Sequence, residues 1–357
     1  MDEPHALELT AGADILAASR IDWKAKGGMS MKQILISGLA SLLAILLLPC
    51  GVRREAPQAR DIVILHELVL PAADEQPEAA AASTEETVCL LTGDTIETLP
   101  LSAYLTGVVL SEMPPEFAPE ALKAQAVAAR TFTQKRRQSA KHEHADVCAD
   151  SACCQAWSSE AALRERFGAN YDTYAEKARA AVEATRGEVL LYDGVLIDAT
   201  YFSCSGGRTE DAAAVWGAEV PYLQSVESYG EENALRYASE KRFTPEALRA
   251  ALGGAALTGS PSAWFSDVTY TEGGGVNTMK IGQTCYTGTE LRRLLGLNST
   301  CFRVSADEDG VTFHVLGYGH RVGMSQYGAD YMARQGYDYR TILQYYYRGA
   351  ELKKADE

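Results

Sequence analysis

The sequence has 357 residues, 46% of them hydrophobic and 23% charged, an ordinary globular composition with length enough for one large domain or two smaller ones. Its formal net charge is −15 at pH 7 and no cluster of Lys and Arg offsets it, which excludes nucleic acid, whose phosphates are bound through such clusters. A ligand carrying carboxylates would need basic groups gathered locally at its site.

Residues 1–33 read as a short cytoplasmic tail or a misassigned start, because Met29 and Met31 offer a second beginning. Residues 34–52 (ILISGLASLLAILLLPCGV) carry no charge and have the length a helix needs to cross the hydrocarbon core, so a single transmembrane anchor is expected there. Lys24, Lys26 and Lys32 precede it and place that side in the cytoplasm, with everything after about residue 55 outside; Arg53 and Arg54 weaken the asymmetry. A cleaved signal peptide and a lipid anchor at Cys50 are the alternatives. Neither an evident cleavage site nor a small residue before the cysteine supports them. Residues 53–87 read as a spacer, strand-like at 61–70 and rich in Ala, Glu and Pro at 72–86.

Residues 88–99 predict a strand, a turn at Gly93-Asp94 and a second strand. From Ser102 the pattern turns helical, with Leu105, Val108, Val109 and Glu112 on one face, so the Glu112 carboxyl shares an apolar stripe. Pro114 and Pro115 end that helix. Pro119 suits a first helical turn, and the Ala-rich run 120–137 predicts a second helix. A loop of histidines and cysteines at 142–154 precedes a helix at 174–186 stopped by Gly187. Residues 188–207 read as a hairpin turning at Asp193-Gly194. The region 230–310 mixes a helix at 244–252, Gly-rich turns, strands and a helix at 290–295. Two helices close the chain, one after Met324 stopped near Gly336, the other capped by Asp338 and stopped near Gly349. No βαβ regularity or internal repeat is visible. The fold class is α+β, with helices and hairpins interleaved, expected as two lobes with a cleft behind one N-terminal membrane-spanning helix.

Three constellations carry chemistry. A carboxyl on an apolar face, such as Glu112, loses hydration of its ionised form and can hold a proton near neutral pH, as a general acid must; the plain alternative is a solvated helix end. His142, Cys148, Cys153 and Cys154 offer the imidazole and thiolates of a closed zinc site, with disulfides as the competing reading. Cys89, Cys204, Cys285 and Cys301 look scattered, although Cys285 and Cys301 could bridge neighbouring strands. Ser203 and Ser205 lie beside Gly206-Gly207 without a G-x-S-x-G elbow, so hydrogen bonding to a ligand suits them better than attack. In GYGHRVGMSQYGA at 317–329, glycines permit close backbone approach while His320, Gln326 and Tyr327 supply polar and stacking groups suited to sugars; a structural turn is the alternative.

Five motifs stand in one order: YLTGVVLSEMPPEFAPEALKAQAVAART at 104–131, CQAW at 154–157, SCSGGRTE at 203–210, VWG at 215–217 and GMSQYGA at 323–329. With them the chain resembles, over residues 88–352, the stage II sporulation protein D family, the lytic transglycosylases of engulfment in endospore-forming bacteria. The resemblance implies that Glu112 is the catalytic acid/base. It implies a structural or site-shaping zinc on His142, Cys148, Cys153 and Cys154, with Cys153 where the family can have histidine. It further implies that Arg130, Gln155, Tyr201, Ser203, Gln326 and Tyr327 bind the glycan. The implied reaction is non-hydrolytic cleavage of the MurNAc-GlcNAc bond of peptide-stripped peptidoglycan strands, giving 1,6-anhydro ends, for which one carboxylate suffices. The implied partners are stage II sporulation proteins P and M, and the implied location is the cell membrane, with the catalytic region between the mother-cell and forespore membranes. Two rivals remain: a zinc-stabilised, non-catalytic peptidoglycan-binding or scaffold protein, and a Cys-His hydrolase using Cys204 or Cys153.

Overall fold

A computed structural model describes residues 85–354, and the expected tail, anchor and nearly all of the spacer lie outside them. Among the described residues no helix is long and apolar enough to cross a membrane.

The chain begins with β1 (Thr87–Thr92) and β2 (Thr95–Pro100), an antiparallel hairpin turning at Gly93, whose φ of 58° favours glycine. Next comes α1 (Leu101–Glu112), which buries Tyr104, Leu105, Gly107, Val108, Val109 and Leu110 and so sits inside the core rather than on its surface. The longest helix, α2 (Pro119–Gln138), starts with Pro119 in its first turn and buries every residue of the run 121–129 except Lys123. Its small side chains let α1 and later helices approach closely. The two-residue β3 (Val147–Cys148) then pairs in parallel with β1. Two helices follow, α3 (Glu160–Phe167), capped by Ser159, and α4 (Tyr171–Ala184). The sequence reading has the second and lacks the first, a short helix with one buried side chain and hence no periodic stripe.

Strands β4 (Glu188–Tyr192) and β5 (Val195–Leu196) form the expected turn at Asp193-Gly194, but the hairpin ends at Leu196. Beyond it lie β6 (Tyr201–Phe202) and the short α5 (Ala212–Trp216). Residues 238–316 then build a separate unit of packing. It contains β7 (Ala238–Phe243), α6 (Pro245–Ala251), β8 (Phe265–Tyr270), β9 (Val276–Ile281), β10 (Thr284–Thr287), α7 (Gly288–Leu295), β11 (Cys301–Asp307) and β12 (Gly310–Leu316). Two three-stranded antiparallel sheets, ordered β10-β9-β8 and β11-β12-β7, enclose Leu248, Trp264, Met279, Leu291, Phe302 and Phe313.

The chain finally returns to the first core with β13 (Met324–Ser325), α8 (Gln326–Arg334), α9 (Tyr339–Tyr346), capped by Asp338 as expected, and β14 (Glu351–Lys354). Here the predicted hairpin over 188–207 is corrected. Tyr201 and Phe202 pair in parallel with Met324 and Ser325, and the outer partner of β4 is β14. Residues 197–207 thus serve to bring side chains to the mouth of a cleft. The result is a mixed α+β fold with two hydrophobic cores, one built from both ends of the described chain and the other from the excursion between them.

Candidate active site

A cleft of about 910 Å³ is lined by residues packed on both cores, Glu112, Tyr201, Ser203 and Tyr327 on one side and Arg292 and Asn298 on the other. Glu112 is the last residue of α1. Met113 leaves the helix in an extended conformation (φ −115°, ψ 145°) because Pro114 follows it, and its side chain is buried, so the helix end is fixed beside the opening. The Ala156 amide N–H donates to Glu112 Oε1 at 2.6 Å. Burial raises the Glu112 pKa above the usual carboxyl range, opposed in part by that N–H and by the Tyr201 hydroxyl. This is the balance a proton donor needs.

Gln155 sets the position of Tyr201. Its Oε1 accepts the Tyr201 hydroxyl at 2.9 Å, while its Nε2 donates to the Tyr104 hydroxyl at 3.1 Å and to Thr133 Oγ1 at 3.2 Å. Since Gln155 is buried, its hydrogen-bonding groups are spent on the protein, making it a positioning residue behind the cleft wall. Gln326 is similar, buried at the start of α8 with its Nε2 donating to Gln125 Oε1 at 3.4 Å. Tyr327 packs edge-on against Phe117, ring centroids 4.9 Å apart, and its amide donates to the Ser203 carbonyl at 3.1 Å. A second carboxylate, Glu116, also lines the cleft; it is exposed and accepts the Tyr174 hydroxyl at 2.7 Å.

Arg130 is corrected. Expected in the glycan site, it is buried away from the cleft, its guanidinium donating to the carbonyls of Thr185 (2.6 Å), Glu188 (3.2 Å) and Val182 (3.1 Å). It ties α2 to the end of α4 and to β4. Basic groups nevertheless gather where a carboxylate ligand would need them, because Arg166, Arg236 and Arg292 all line the cleft of this acidic chain. His320 does so too, and burial together with the nearby Arg292 charge lowers its pKa to about 4, leaving it neutral.

The SCSGG turn is held from beneath by Glu231, a buried carboxylate absent from the sequence reading. It accepts from Ser205 N (2.8 Å), Ser205 Oγ (2.7 Å) and Gly206 N (2.9 Å). Ser205 is therefore structural. Cys204 is fully buried and burial pushes its thiol up to about 11, which argues against its serving as a nucleophile. Neither Glu231 nor the Ala156 N–H carried a sequence signal: one is an unremarkable Glu in a polar run, the other a backbone group.

The donor atoms of His142, Cys148, Cys153 and Cys154 all lie within 4.8 Å of one another. His142 Nε2 is 3.5 Å from Cys153 Sγ and 3.4 Å from Cys154 Sγ. Donors around one tetrahedral ion stand roughly 3.5–3.8 Å apart, given metal-ligand bonds of about 2.0–2.3 Å, so these four fit a metal. Lys141 favours the Cys153 thiolate, whereas burial pushes the Cys154 thiol up to about 12, a penalty a bound cation reverses. None of the described cysteines is disulfide-bonded, so the alternative bridges, Cys285 to Cys301 included, are not formed. The cluster leads directly into Gln155 and Ala156.

Fold and site thus define an α+β protein whose cleft holds one half-buried acid, braced by a segment that issues from a His/Cys cluster. The stage II sporulation protein family model matches residues 92–192, a span containing Glu112 and all four candidate ligands. The chain is similar to stage II sporulation protein D of Bacillus subtilis (strain 168), 40% identical over 264 residues that cover 73% of the chain and 76% of the relative. It is likewise similar to stage II sporulation protein D of Bacillus amyloliquefaciens, 37% identical over 265 residues, again 73% and 76%. A third relative is the amidase enhancer of Bacillus subtilis (strain 168), 29% identical over 308 residues, which cover 70% of the chain and 40% of that protein. The chain belongs to the stage II sporulation protein D family.

Proposed function

We propose that this protein is a peptidoglycan lytic transglycosylase acting in sporulation, with Glu112 as its acid and base. The observation that carries the reading is the Glu112 carboxyl, made more basic by burial at the edge of a cleft large enough for a glycan segment. Protonated Glu112 gives its proton to the glycosidic oxygen as the bond from the muramoyl C1 breaks. The carboxylate then takes the proton of the muramoyl C6 hydroxyl as that oxygen closes on C1. The product is a 1,6-anhydro end and no water is consumed. Tyr201 neighbours the carboxyl and is held in place by Gln155, Ser203 and Tyr327 shape the sugar-facing wall, and Gln326 supports that wall from its buried side.

Zinc is the ion we assign to His142, Cys148, Cys153 and Cys154, in a closed structural site, since three thiolates and an imidazole suit zinc and leave no ligand position open. When bound, it fixes the segment that presents the Ala156 N–H. We place the protein in the cell membrane through residues 34–52, with its catalytic region outside, between the mother-cell and forespore membranes. Stage II sporulation proteins P and M are proposed partners; likeness to an amidase enhancer supports joint action with a wall amidase.

That likeness also favours a second reading, a zinc-stabilised peptidoglycan-binding or scaffold protein without catalysis. Incubating the protein with peptide-stripped strands and weighing the products separates the readings. Anhydro ends are expected. Reducing ends would mean hydrolysis with Glu116 as a candidate second carboxylate, and intact but bound strands would mean a scaffold.

A further inference from the structure

Three arginines among the described residues, Arg130, Arg321 and Arg292, are not alike in how their guanidinium groups are satisfied. Arg130 saturates its donors on three carbonyls. Arg321 donates to Glu210 Oε1 (2.9 Å) and to the carbonyls of Ser205 (2.6 Å), Arg208 (2.8 Å) and Gly273 (2.6 Å). Arg292, in the last turn of α7, is half-buried on the cleft wall, and its Nε–H is buried with no hydrogen-bond partner among the described residues. A desolvated cation with an idle donor is costly, and burial pulls its pKa below the usual arginine value. Its neighbours do not compensate, being the phenol of Tyr318 and a neutral His320. Beside it, Arg236 at the exposed rim stacks on Tyr318, 4.7 Å from the ring centroid, and spends one N–H on the Tyr318 hydroxyl at 2.6 Å. Tyr318 is thus stacked by Arg236 and near enough to act electrostatically on Arg292, and paired backbone bonds hold it against Cys204, two residues beyond β6.

We propose that Arg292, aided by Arg236, is the subsite that binds the free lactyl carboxylate of a peptide-free muramoyl residue and so selects stripped strands. The inference rests on the reading that the cleft takes peptidoglycan strands. A guanidinium fork matches a carboxylate with two parallel hydrogen bonds. When a stem peptide is attached, the same carbon is a neutral amide with one acceptor oxygen and a bulky substituent. Arg292 then stays desolvated without its anion.

The test measures equilibrium binding of the full-length chain to three preparations: peptide-free strands, the same strands methyl-esterified at the lactyl carboxylate, and peptide-bearing strands. The wild type is expected to bind free-acid strands at least about ten-fold tighter than the ester, the scale of a charge-assisted hydrogen bond. Arg292→Gln brings that ratio close to one, and Arg236→Gln lowers it by a smaller factor. Should Arg292→Gln fail to fold, judged by its melting temperature, Arg236→Gln carries the comparison, since its side chain is exposed. A wild type indifferent to esterification, or variants that both keep the wild-type ratio, overturns the subsite. Tightest binding of peptide-bearing strands also overturns it, by assigning the arginines to stem-peptide carboxylates. Products are analysed in parallel: a wild type with the expected ratio but no anhydro ends keeps the subsite and sinks the transglycosylase reading. Failure to bind any strand overturns both.

Discussion

The Ala156 amide donates to the Glu112 carboxylate at 2.6 Å, joining the end of a core helix to the segment that leaves the His/Cys cluster two residues earlier. A residue 44 positions away in sequence thereby sets where the acid points and how readily it holds its proton. The acid is oriented by backbone, and the backbone is anchored by candidate metal ligands.

Metal removal is therefore predicted to act on Glu112 at a distance. Metal analysis of the purified protein is expected to give one zinc per chain. Cys148→Ser is expected to lower that content and reduce cleavage by about ten- to a hundred-fold, the usual range for loosening a supporting shell. A protein that contains no zinc as isolated, and cleaves strands at full rate, contradicts the assignment.

Arg130 is predicted to matter for folding rather than for the glycan. Arg130→Met leaves three buried carbonyls short of a donor and should cost about 3 kcal/mol in denaturant unfolding, with little change in cleavage per folded molecule. Unchanged stability with lost strand binding would return Arg130 to the site.

Tyr201→Phe removes a hydroxyl that opposes the upward shift of the Glu112 pKa. Without it the carboxyl is more basic still. The acid must be protonated to act, so kcat/KM falls as pH rises through its pKa, and the variant's alkaline limb should move to higher pH than the wild type's. A limb at the wild-type pH, or below it, contradicts the contact.

Much of the fold was legible because its signals are local. Proline pairs and caps fixed the ends of α1, α2 and α9, and Gly93-Asp94 and Asp193-Gly194 fixed two turns. The hairpin over 188–207 was misread because nothing local reveals that Tyr201 and Phe202 pair with Met324 and Ser325, more than a hundred residues on. At the site, Glu112 was legible from its place on an apolar helix face and from the ordered motifs around it, and the four metal-ligand candidates as residue types in compact spacing. Arg130 misled for the opposite reason: an arginine beside a key motif reads the same whether its guanidinium faces a ligand or three carbonyls. Nothing in the sequence singles out Arg292, which sits on a short amphipathic helix and faces the cleft only because of how that helix packs.

The central claim is that Glu112 does the chemistry, and Glu112→Gln tests it most directly. Glutamine keeps an acceptor for the Ala156 N–H but can neither give nor take the proton. The raised pKa means that ionised Glu112 weakens the fold, absent below the ordinary carboxyl value of about 4.3 and growing as pH rises through the shifted one. The variant should thus melt no lower than the wild type at neutral pH. Against that control, its release of anhydro-ended fragments from peptide-free strands is expected to fall by about a hundred-fold or more, with strand binding retained. Release at the wild-type rate would contradict the account.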